Sequence, residues 1–393
     1  VASAQQLTML AQRLSARGHQ VTVITSRRGY DDPDSVFVPR ERWQSIDIVR
    51  IPSLAAGKRR RWQRAVNFAS YLFACAARLA VTPRADIVIA LTSPPLISWL
   101  GSLFVRIRGG RLIFWPLDLN PDEAIAAGWL RENSLSAWWL ARLLLSSMKA
   151  STKIIALDEY MKKRIVAKGI SPTKIEVIPP SPDDSLSYDG QGREQFRRAH
   201  RLTEKYVVMY AGNHSPCHPL DTLLTAARKL SDRDDIVFVF VGGGSEIAKV
   251  KSLIGAANVR WLPYQPQEKL SELLSAADVH VVIMGDRFSG IVHPSKIYNV
   301  LKINSPLLYI GPRESFITNL INRERKDMTA SALHGDVDSV VEIISTFADR
   351  VKLHSRSALP PARTDDGFAR FVAQIETLAT PDASAVTLET VET

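Results

Sequence analysis

Two spacings of apolar residues alternate along the chain. Short runs rich in Val, Ile and Leu occur at 19–25 (HQVTVIT), 46–51 (IDIVRI), 86–91 (DIVIAL), 111–115 (RLIFW), 153–157 (KIIAL) and 174–178 (KIEVI). Between them lie stretches where apolar positions recur every three to four residues, among them 135–149 and 159–168. Such runs predict strands, such recurrence predicts helices, and their alternation predicts a parallel sheet covered by helices. The pattern lapses over 179–192, which is crowded with Pro, Ser, Asp and Gly, and this marks a domain boundary. A second series follows, with strands at 206–211, 236–242, 259–262, 279–284 and 307–311 and helices at 221–230, 269–276 and 295–301. The expected architecture is α/β, with two doubly wound domains at 1–180 and 204–355, a linker at 181–203 and a ligand cleft between the domains. Residues 356–379 carry one amphipathic helix at 368–378, and 380–393 read as a disordered tail.

The chain opens inside an element. Leu7, Leu10, Ala11 and Leu14 recur at helical spacing up to Gly18, which feeds the strand at 19–25. That is the second half of a strand–helix–strand unit, so a first strand and its loop are expected upstream of Val1.

Composition narrows the class without choosing a function. The 393 residues are 46% hydrophobic and 23% charged, which excludes fibrous and wholly disordered proteins. Two cysteines, Cys75 and Cys217, build no disulfide framework and point to a reducing cytoplasm. Lys and Arg number 50 against 40 Asp and Glu, for a net charge of +10 that favours polyanions. Half of that excess sits in residues 27–64, where ten basic residues face five acids. The cluster Lys58, Arg59, Arg60, Arg61 and Arg64 precedes the uncharged run AVNFASYLFACAA, too short to span a bilayer. This stretch reads either as an element lying on an anionic membrane or as a core helix with a solvated lead-in. The cluster lacks the aromatic interleaving of a nucleic-acid platform, and no nucleic acid is expected as a partner.

In doubly wound domains ligands bind beyond the carboxyl ends of the strands, so the loops there carry the candidate chemistry. The strand at 206–211 runs into Gly212, Asn213, His214, Ser215, Pro216, Cys217 and His218 before a helix begins. Glycine lets the backbone approach a ligand, and the helix start suits a phosphate. His214, Cys217 and His218 also have the softness of metal ligands, but a fourth partner is missing and no metal is assigned. Gly242-Gly243-Gly244-Ser245-Glu246 follows the next strand; Ile247 stands where a dinucleotide fingerprint needs glycine, which leaves a tight turn and a ligand loop equally open. Tyr264-Gln265 follows 259–262 and suits either a nucleobase or a plain surface turn. The most specific loop holds Gly290, Ile291, Val292, His293, Pro294, Ser295 and Lys296. Pro294 and Ser295 suit the first turn of a helix, and a lysine there opposes the helix dipole unless an anion binds beside it.

In the first domain Asp118 follows the strand at 111–115, where a carboxylate either contacts a ligand hydroxyl or opens the turn before Asp122. Thr92 and Ser93 follow 86–91, where their hydroxyls can cap the next helix.

Four strings, YAGNHSPCHPLDTLLTAARKL, VGGGSE, LPYQPQEKLSELLSAADVHVVIM and GIVHPSKIYNVL, together resemble the donor-binding domain of retaining glycosyltransferases of family 4. ARGHQVTVIT, DIVIALTSPP and PLDLNPDEAIAAGWL resemble the acceptor side of the same family, in particular bacterial enzymes that build surface polysaccharides. The resemblance implies the GT-B fold of two facing Rossmann-like domains, a nucleotide-sugar donor used as substrate with no resident cofactor, and a sugar or lipid-linked sugar acceptor. It implies a hexosyltransferase at the inner face of the cell membrane. It also implies roles for residues: Lys296 and Asp118 in catalysis; Gly212, Asn213, His218, Gly243, Tyr264, Gln265, Gly290, Ile291, Val292, Pro294, Ser295 and Asn299 around the donor; Thr92 and Ser93 on the acceptor side.

The sequence departs from the family at several of these places. Asn213 and His218 stand where many members have an Arg-x4-Lys pair, and Ile291 and Asn299 where they have E-x7-E. Leu117 replaces the His or Arg before Asp118, while Asp118 and Pro121 are kept. Lys296 is thereby left as the main cation for a diphosphate. Two other readings stay open: a nucleotide-sugar epimerase on the same fold, and a catalytically reduced assembly protein at a membrane.

Overall fold

The structure is a computed structural model that describes residues 2–29, 35–54, 56–57, 61–183, 185–324, 328–353, 367–379 and 385–389. It divides into two compact units, Val1–Ser181 with Gly290–His293 and Asp366–Thr393, and Pro182–Ser289 with Pro294–Asp365.

The first unit runs α1 (Ala2–Ala16), β1 (Gln20–Ser26), β2 (Arg40–Trp43), β3 (Ile46–Ile51), α2 (Arg61–Ala80), β4 (Ile87–Ala90), α3 (Ile97–Arg108), β5 (Arg111–Phe114), α4 (Asp122–Ala126), α5 (Leu135–Ala150), β6 (Lys153–Ala156), α6 (Glu159–Ala167) and β7 (Ile175–Val177). The second runs α7 (Gly190–Ala199), β8 (Tyr206–Ala211), α8 (Asp221–Lys229), β9 (Ile236–Val241), α9 (Ile247–Lys251), β10 (Val259–Leu262), α10 (Leu270–Ser275), β11 (Val279–Ile283), α11 (Lys296–Lys302), β12 (Leu307–Ile310), α12 (Phe316–Glu324), β13 (Thr329–Ala332) and α13 (Val337–Leu353). The chain then returns to the first unit as α14 (Gly367–Leu378) and β14 (Ala385–Glu389).

The second unit is a six-stranded sheet ordered β10-β9-β8-β11-β12-β13, parallel throughout. Alternate residues of β8 face opposite ways, as a pleated strand requires. Val208 and Tyr210 pack with Leu223, Leu224 and Ala227 of α8, while Val207 and Met209 pack with Phe196 of α7 and Leu273 of α10. Both faces are therefore covered, which is why these strands read as continuous apolar runs.

The first unit is an eight-stranded sheet ordered β2-β3-β1-β14-β4-β5-β6-β7, parallel except for the β2–β3 hairpin. On one face α2 and α3 lay Tyr71, Cys75, Leu79, Ile97 and Phe104 against Ile24, Ile51, Val88, Ala90 and Leu112 of the strands. Toward the other end of the chain, α14 sets Phe371 edge-on to Trp115, with ring centroids 4.9 Å apart.

Three expectations need correction. Residues 181–203 are no bare linker, because 190–199 form α7, capped by the Asp189 carboxylate on Gly192 N–H at 2.8 Å and anchored by two buried arginines. Arg193 reaches Asp278 at 2.7 Å and the carbonyls of Ser275 and Ala277, and Arg197 reaches the other Asp278 oxygen and the carbonyls of Ala276 and Lys205. The helix at 368–378 does not stand as a separate C-terminal segment but packs within the first unit. The tail is not wholly without structure, since 385–389 form β14, paired in parallel with β1 (Val21 opposite Val386) and with β4 (Val88 opposite Thr387). A short Val-Thr-Leu segment has strand propensity, and β1 and β4 each offer it a row of backbone donors and acceptors.

Candidate functional site

In the second unit three loops meet beneath the N-terminal end of α11. β8 ends at Gly212, whose φ of 141° is open only to glycine and whose N–H bonds Val241 O at 2.9 Å. A Cβ on Gly212 would stand 3.0 Å from Nζ of Lys296, so no larger residue fits between this backbone and the lysine without a shift. Gly242 is tighter, since a Cβ there would fall 2.2 Å from the Gly212 carbonyl oxygen. The loops after β8 and β9 are laced by His214 N–H to Gly243 O at 2.8 Å and Glu246 N–H to His214 O at 2.9 Å. Tyr264 donates its hydroxyl to Gly243 O at 3.2 Å and leaves its ring exposed, and Trp261 Nε1 donates to Gly242 O at 2.9 Å.

Lys296 is the electrostatic anomaly of this corner. Its Nζ is shielded from solvent, makes no hydrogen bond among the described residues and sits 4.0 Å from the ring centroid of Tyr210. The ring face offers some compensation, but a buried ammonium without an anion is costly. Burial accordingly lowers its pKa to about 7. The groups around it are neutral. His218 donates Nδ1–H to Ile283 O at 2.7 Å, and burial together with the nearby Lys296 charge lowers its pKa to about 3. His214 is fully buried with neither ring nitrogen bonded among the described residues, and burial is the main cause of its lowering to about 4. The Tyr210 hydroxyl donates to Asn213 O at 2.7 Å, and burial raises its pKa. One cation is thus held against glycine backbone among neutral polar groups, which is chemistry suited to receiving an anion. Ser295 occupies the position before α11 but makes no side-chain cap, so the first turn of that helix starts at Lys296 rather than at Pro294 and Ser295.

A second group of candidates lies in the first unit. Asp118 pairs with Val292 in an antiparallel bridge, and Leu119 N–H bonds Ile291 O at 2.9 Å. Gly290 passes so close to α6 that a Cβ would fall 2.6 Å from the Tyr160 carbonyl. Burial, and after it the charge of Glu123, raises the pKa of Asp118 well above the usual carboxylate range, while the His293 backbone N–H works in the opposite direction. Thr92 Oγ1 accepts from Asp118 N–H at 3.5 Å. The expectation that Thr92 and Ser93 cap the next helix is corrected: α3 follows Leu96, with no side-chain cap.

The structure thus gathers Gly212, Asn213, His218, Gly243, Tyr264 and Lys296 in one unit and Thr92, Asp118, Gly290, Ile291 and Val292 in the other. Asn299 accepts from Asp183 N–H at 3.3 Å, and Gln265 bonds its own neighbour, Pro263 O, at 3.0 Å. Among the described residues no three His, Cys, Asp or Glu converge as metal ligands. A cavity of about 220 Å³ between α1 and β1–β3 is lined by residues such as Thr25, Arg28 and Arg50 and contains none of the candidates.

Sequence reasoning missed one pair. His293 is buried and donates Nδ1–H to Asp158 at 2.7 Å, while the other Asp158 oxygen caps α6 through Met161 N–H at 2.8 Å. A fully occupied carboxylate therefore fixes the residue whose backbone N–H meets Asp118. The capping signal at Asp158 is local and readable, but nothing in the sequence joins it to His293.

Comparison with known proteins bears on the family and the fold. The family model Glycosyltransferase Family 4 matches residues 3–186, and Glycosyl transferases group 1 matches 192–286. A Pseudomonas aeruginosa protein named as glycosyltransferase WbjE is 22% identical over 252 residues, 61% of this chain and 60% of its own length. An Escherichia coli (strain K12) protein named as colanic acid biosynthesis glycosyl transferase WcaI is 21% identical over 310 residues, 75% of this chain and 76% of its own. Among solved structures, a sucrose-phosphate synthase from Thermosynechococcus elongatus superposes with a TM-score of 0.69 at 14% identity over 95% of this chain and 92% of that one. Anabaena HepE in complex with UDP and glucose gives 0.64 at 12% identity over 90% and 88%. With both family models matched in sequence order and the same two-domain fold, the chain belongs to the family 4-like glycosyltransferases of GT-B fold and resembles enzymes of bacterial surface-polysaccharide synthesis.

Proposed function

We propose that the protein moves a hexosyl group from a nucleotide-sugar donor to a hydroxyl of a sugar or lipid-linked sugar acceptor, with retention at the anomeric carbon. The observation that carries this reading is Lys296: a shielded ammonium without an anionic partner, pressed against the Gly212 backbone. A diphosphate supplies the missing charge. That HepE is described in complex with UDP and glucose makes uridine nucleotides the first donors to try.

In the reaction the acceptor oxygen bonds the anomeric carbon on the same face from which the diphosphate oxygen leaves, as that carbon–oxygen bond breaks, so that configuration is retained. The electron pair of the broken bond goes to the diphosphate. Charge grows there in the transition state, so a bond from Lys296 strengthens as the reaction proceeds. The acceptor proton passes to Asp118, whose carboxylate binds protons more tightly than usual because it is buried near Glu123. His293, held by Asp158, positions Asp118 through its backbone. His218 and Asn213 offer neutral contacts where many relatives have cations, so Lys296 carries the phosphate charge alone.

The test is sugar transfer with a panel of labelled nucleotide sugars and polysaccharide-precursor acceptors, for wild type and Lys296→Ala. Transfer by wild type that the variant lacks is expected. Turnover of the donor to an epimer without acceptor would replace this reading with the epimerase one, and inertness toward every nucleotide would favour an assembly role.

A further inference from the structure

A second, smaller cavity opens in the first unit, where the loops after β4 and β5 meet α5. It measures about 60 Å³, and its walls are mostly apolar, supplied by Pro95, Leu96, Pro121, Ala124, Leu140 and Leu144. Leu96 lines it with a φ of 76°, a left-handed conformation costly for leucine and of the kind that collects at ligand sites. The wall supplied by α4 is tied down by Asp122, whose carboxylate accepts from Lys168 Nζ at 2.7 and 2.9 Å. Three polar side chains interrupt the walls. Ser98 is spent on Ser147, hydroxyl to hydroxyl at 3.0 Å. Thr92 is only 6% exposed; its Oγ1 takes a long contact of 3.5 Å from Asp118 N–H, and its hydroxyl hydrogen has no acceptor among the described residues. Asn120 donates Nδ2–H to Glu123 at 3.2 Å, which leaves its Oδ1 with no donor among the described residues. The cavity therefore offers one unused donor, one unused acceptor and an apolar surround.

We propose that this cavity receives the acetamido group of the acceptor sugar, so that the enzyme selects N-acetylated acceptors. This rests on the reading of the protein as a transferase with Asp118 on its acceptor side. An acetamido group carries a carbonyl oxygen, an N–H and a methyl group. The carbonyl accepts the Thr92 hydroxyl hydrogen, the N–H donates to Asn120 Oδ1, and the methyl fills the space between the leucines and prolines. A plain hydroxyl in its place leaves the apolar walls unfilled and a buried polar atom unpaired, and a free amine supplies no acceptor for Thr92. The volume is several times the ~10–15 Å³ that one water needs, yet far below the ~300 Å³ of a site that encloses a whole ligand. It suits a substituent of a few heavy atoms with the sugar ring left outside. Thr92 contacts Asp118 and Asn120 lies two residues from it, so a sugar anchored here sets its hydroxyls beside the carboxylate that takes the acceptor proton. An acetamido group on the donor sugar has the same chemistry, and the test separates the two sources.

The experiment reads binding and selectivity on the full chain. Saturation-transfer NMR with the methyl glycosides of N-acetylglucosamine, glucosamine and glucose, with and without UDP, should show the strongest saturation at the acetyl methyl. The other two sugars should bind ~10-fold more weakly or worse. Transfer from the nucleotide sugar that the donor panel identifies should favour the N-acetylated acceptor by ~10²-fold in kcat/KM. Ala124→Leu fills the cavity and should bring that preference close to unity, whereas Thr92→Val removes only the hydroxyl hydrogen and should cut it by ~10-fold. Melting curves check both variants, and Thr92→Val, nearly equal in size, keeps the test open if the larger side chain disturbs α4. Absence of acetyl-methyl saturation, equal transfer to all three acceptors, or a preference that both variants keep would overturn the proposal and leave the transferase reading intact. So would a preference for acetylated donors that Ala124→Leu removes, because the group would then arrive with the nucleotide. Acetyl saturation lost in the variants, with no transfer from any donor, would support the cavity's ligand and strike the transferase reading instead.

Discussion

The second unit buries cationic side chains in two places and treats them in opposite ways. Arg193 and Arg197 close on the two oxygens of Asp278, one of which also accepts Val207 N–H at 2.7 Å, and other guanidinium donors reach the carbonyls of Ser275, Ala276, Ala277 and Lys205. Lys296 has an aromatic face and no anion. The first arrangement is complete and belongs to the fold. On the proposed reading the second is completed by a ligand and belongs to function. What separates them is whether the buried cation has an anion and hydrogen-bond acceptors inside the protein.

The largest effect should come from breaking the complete arrangement. Asp278→Ala would strand two buried guanidiniums, and removing one partner of such a network typically costs ~3–5 kcal/mol. Urea denaturation of the full chain measures it; a loss below ~1 kcal/mol would show that the arginines escape to water. Lys296→Ala should do the reverse, cutting turnover by ~10²-fold while leaving stability unchanged or higher. Steady-state transfer and thermal melting on one preparation separate the two outcomes.

His218 tests the boundary between these classes. Its Nδ1–H satisfies Ile283 O, so His218→Ala should cost ~1–3 kcal/mol of stability through the orphaned carbonyl. As a neutral ring it should matter less to turnover than Lys296 does. A variant as inactive as Lys296→Ala yet fully stable would move His218 to the functional side.

The smallest effect is a pH trend. Lys296 has a folded pKa of about 7, below that of a free lysine, so in the window between them the unfolded chain binds more protons than the folded one. Through this group, unliganded stability rises as pH climbs from about 7 and levels off once the unfolded lysine also loses its proton. The wild-type curve should therefore gain on that of Lys296→Met with rising pH, and parallel curves would count against burial as the cause.

How far each of these features was legible follows from its physics. β8 coincides with the apolar run read from sequence because a strand buried on both faces must be apolar throughout, and β3 and β10 keep enough apolar positions to be read although each exposes a charged residue, Asp47 and Arg260. α7 was invisible for the same reason in reverse: GQGREQFRRA carries a single large apolar residue, Phe196, and buries its arginines instead. β14 is too short for a period to declare itself. Lys296 was legible because a glycine-containing loop, a proline and a lysine against a helix dipole form a local conflict. The pairing of His293 with Asp158 joins residues far apart in sequence, and only the fold brings them together. For α2 the uncharged run left a core helix and a surface helix both open, and the structure gives it a stripe of each kind: Tyr71, Cys75 and Leu79 face the sheet, while Trp62, Val66 and Phe73 are exposed. Lys58, Arg59 and Arg60 lie outside the described residues, and no helix among the described residues is long and apolar enough to cross a membrane.

The most direct test of the account is calorimetric titration of a nucleoside diphosphate into wild type and Lys296→Met across pH 6 to roughly 9, the range that spans the lysine's shifted pKa. Wild type should bind more tightly at the acid end and lose affinity as Lys296 sheds its proton, whereas Lys296→Met should bind weakly with little of that dependence. Equal affinities with superimposable pH profiles would contradict the claim that the unpaired lysine is there to receive the diphosphate.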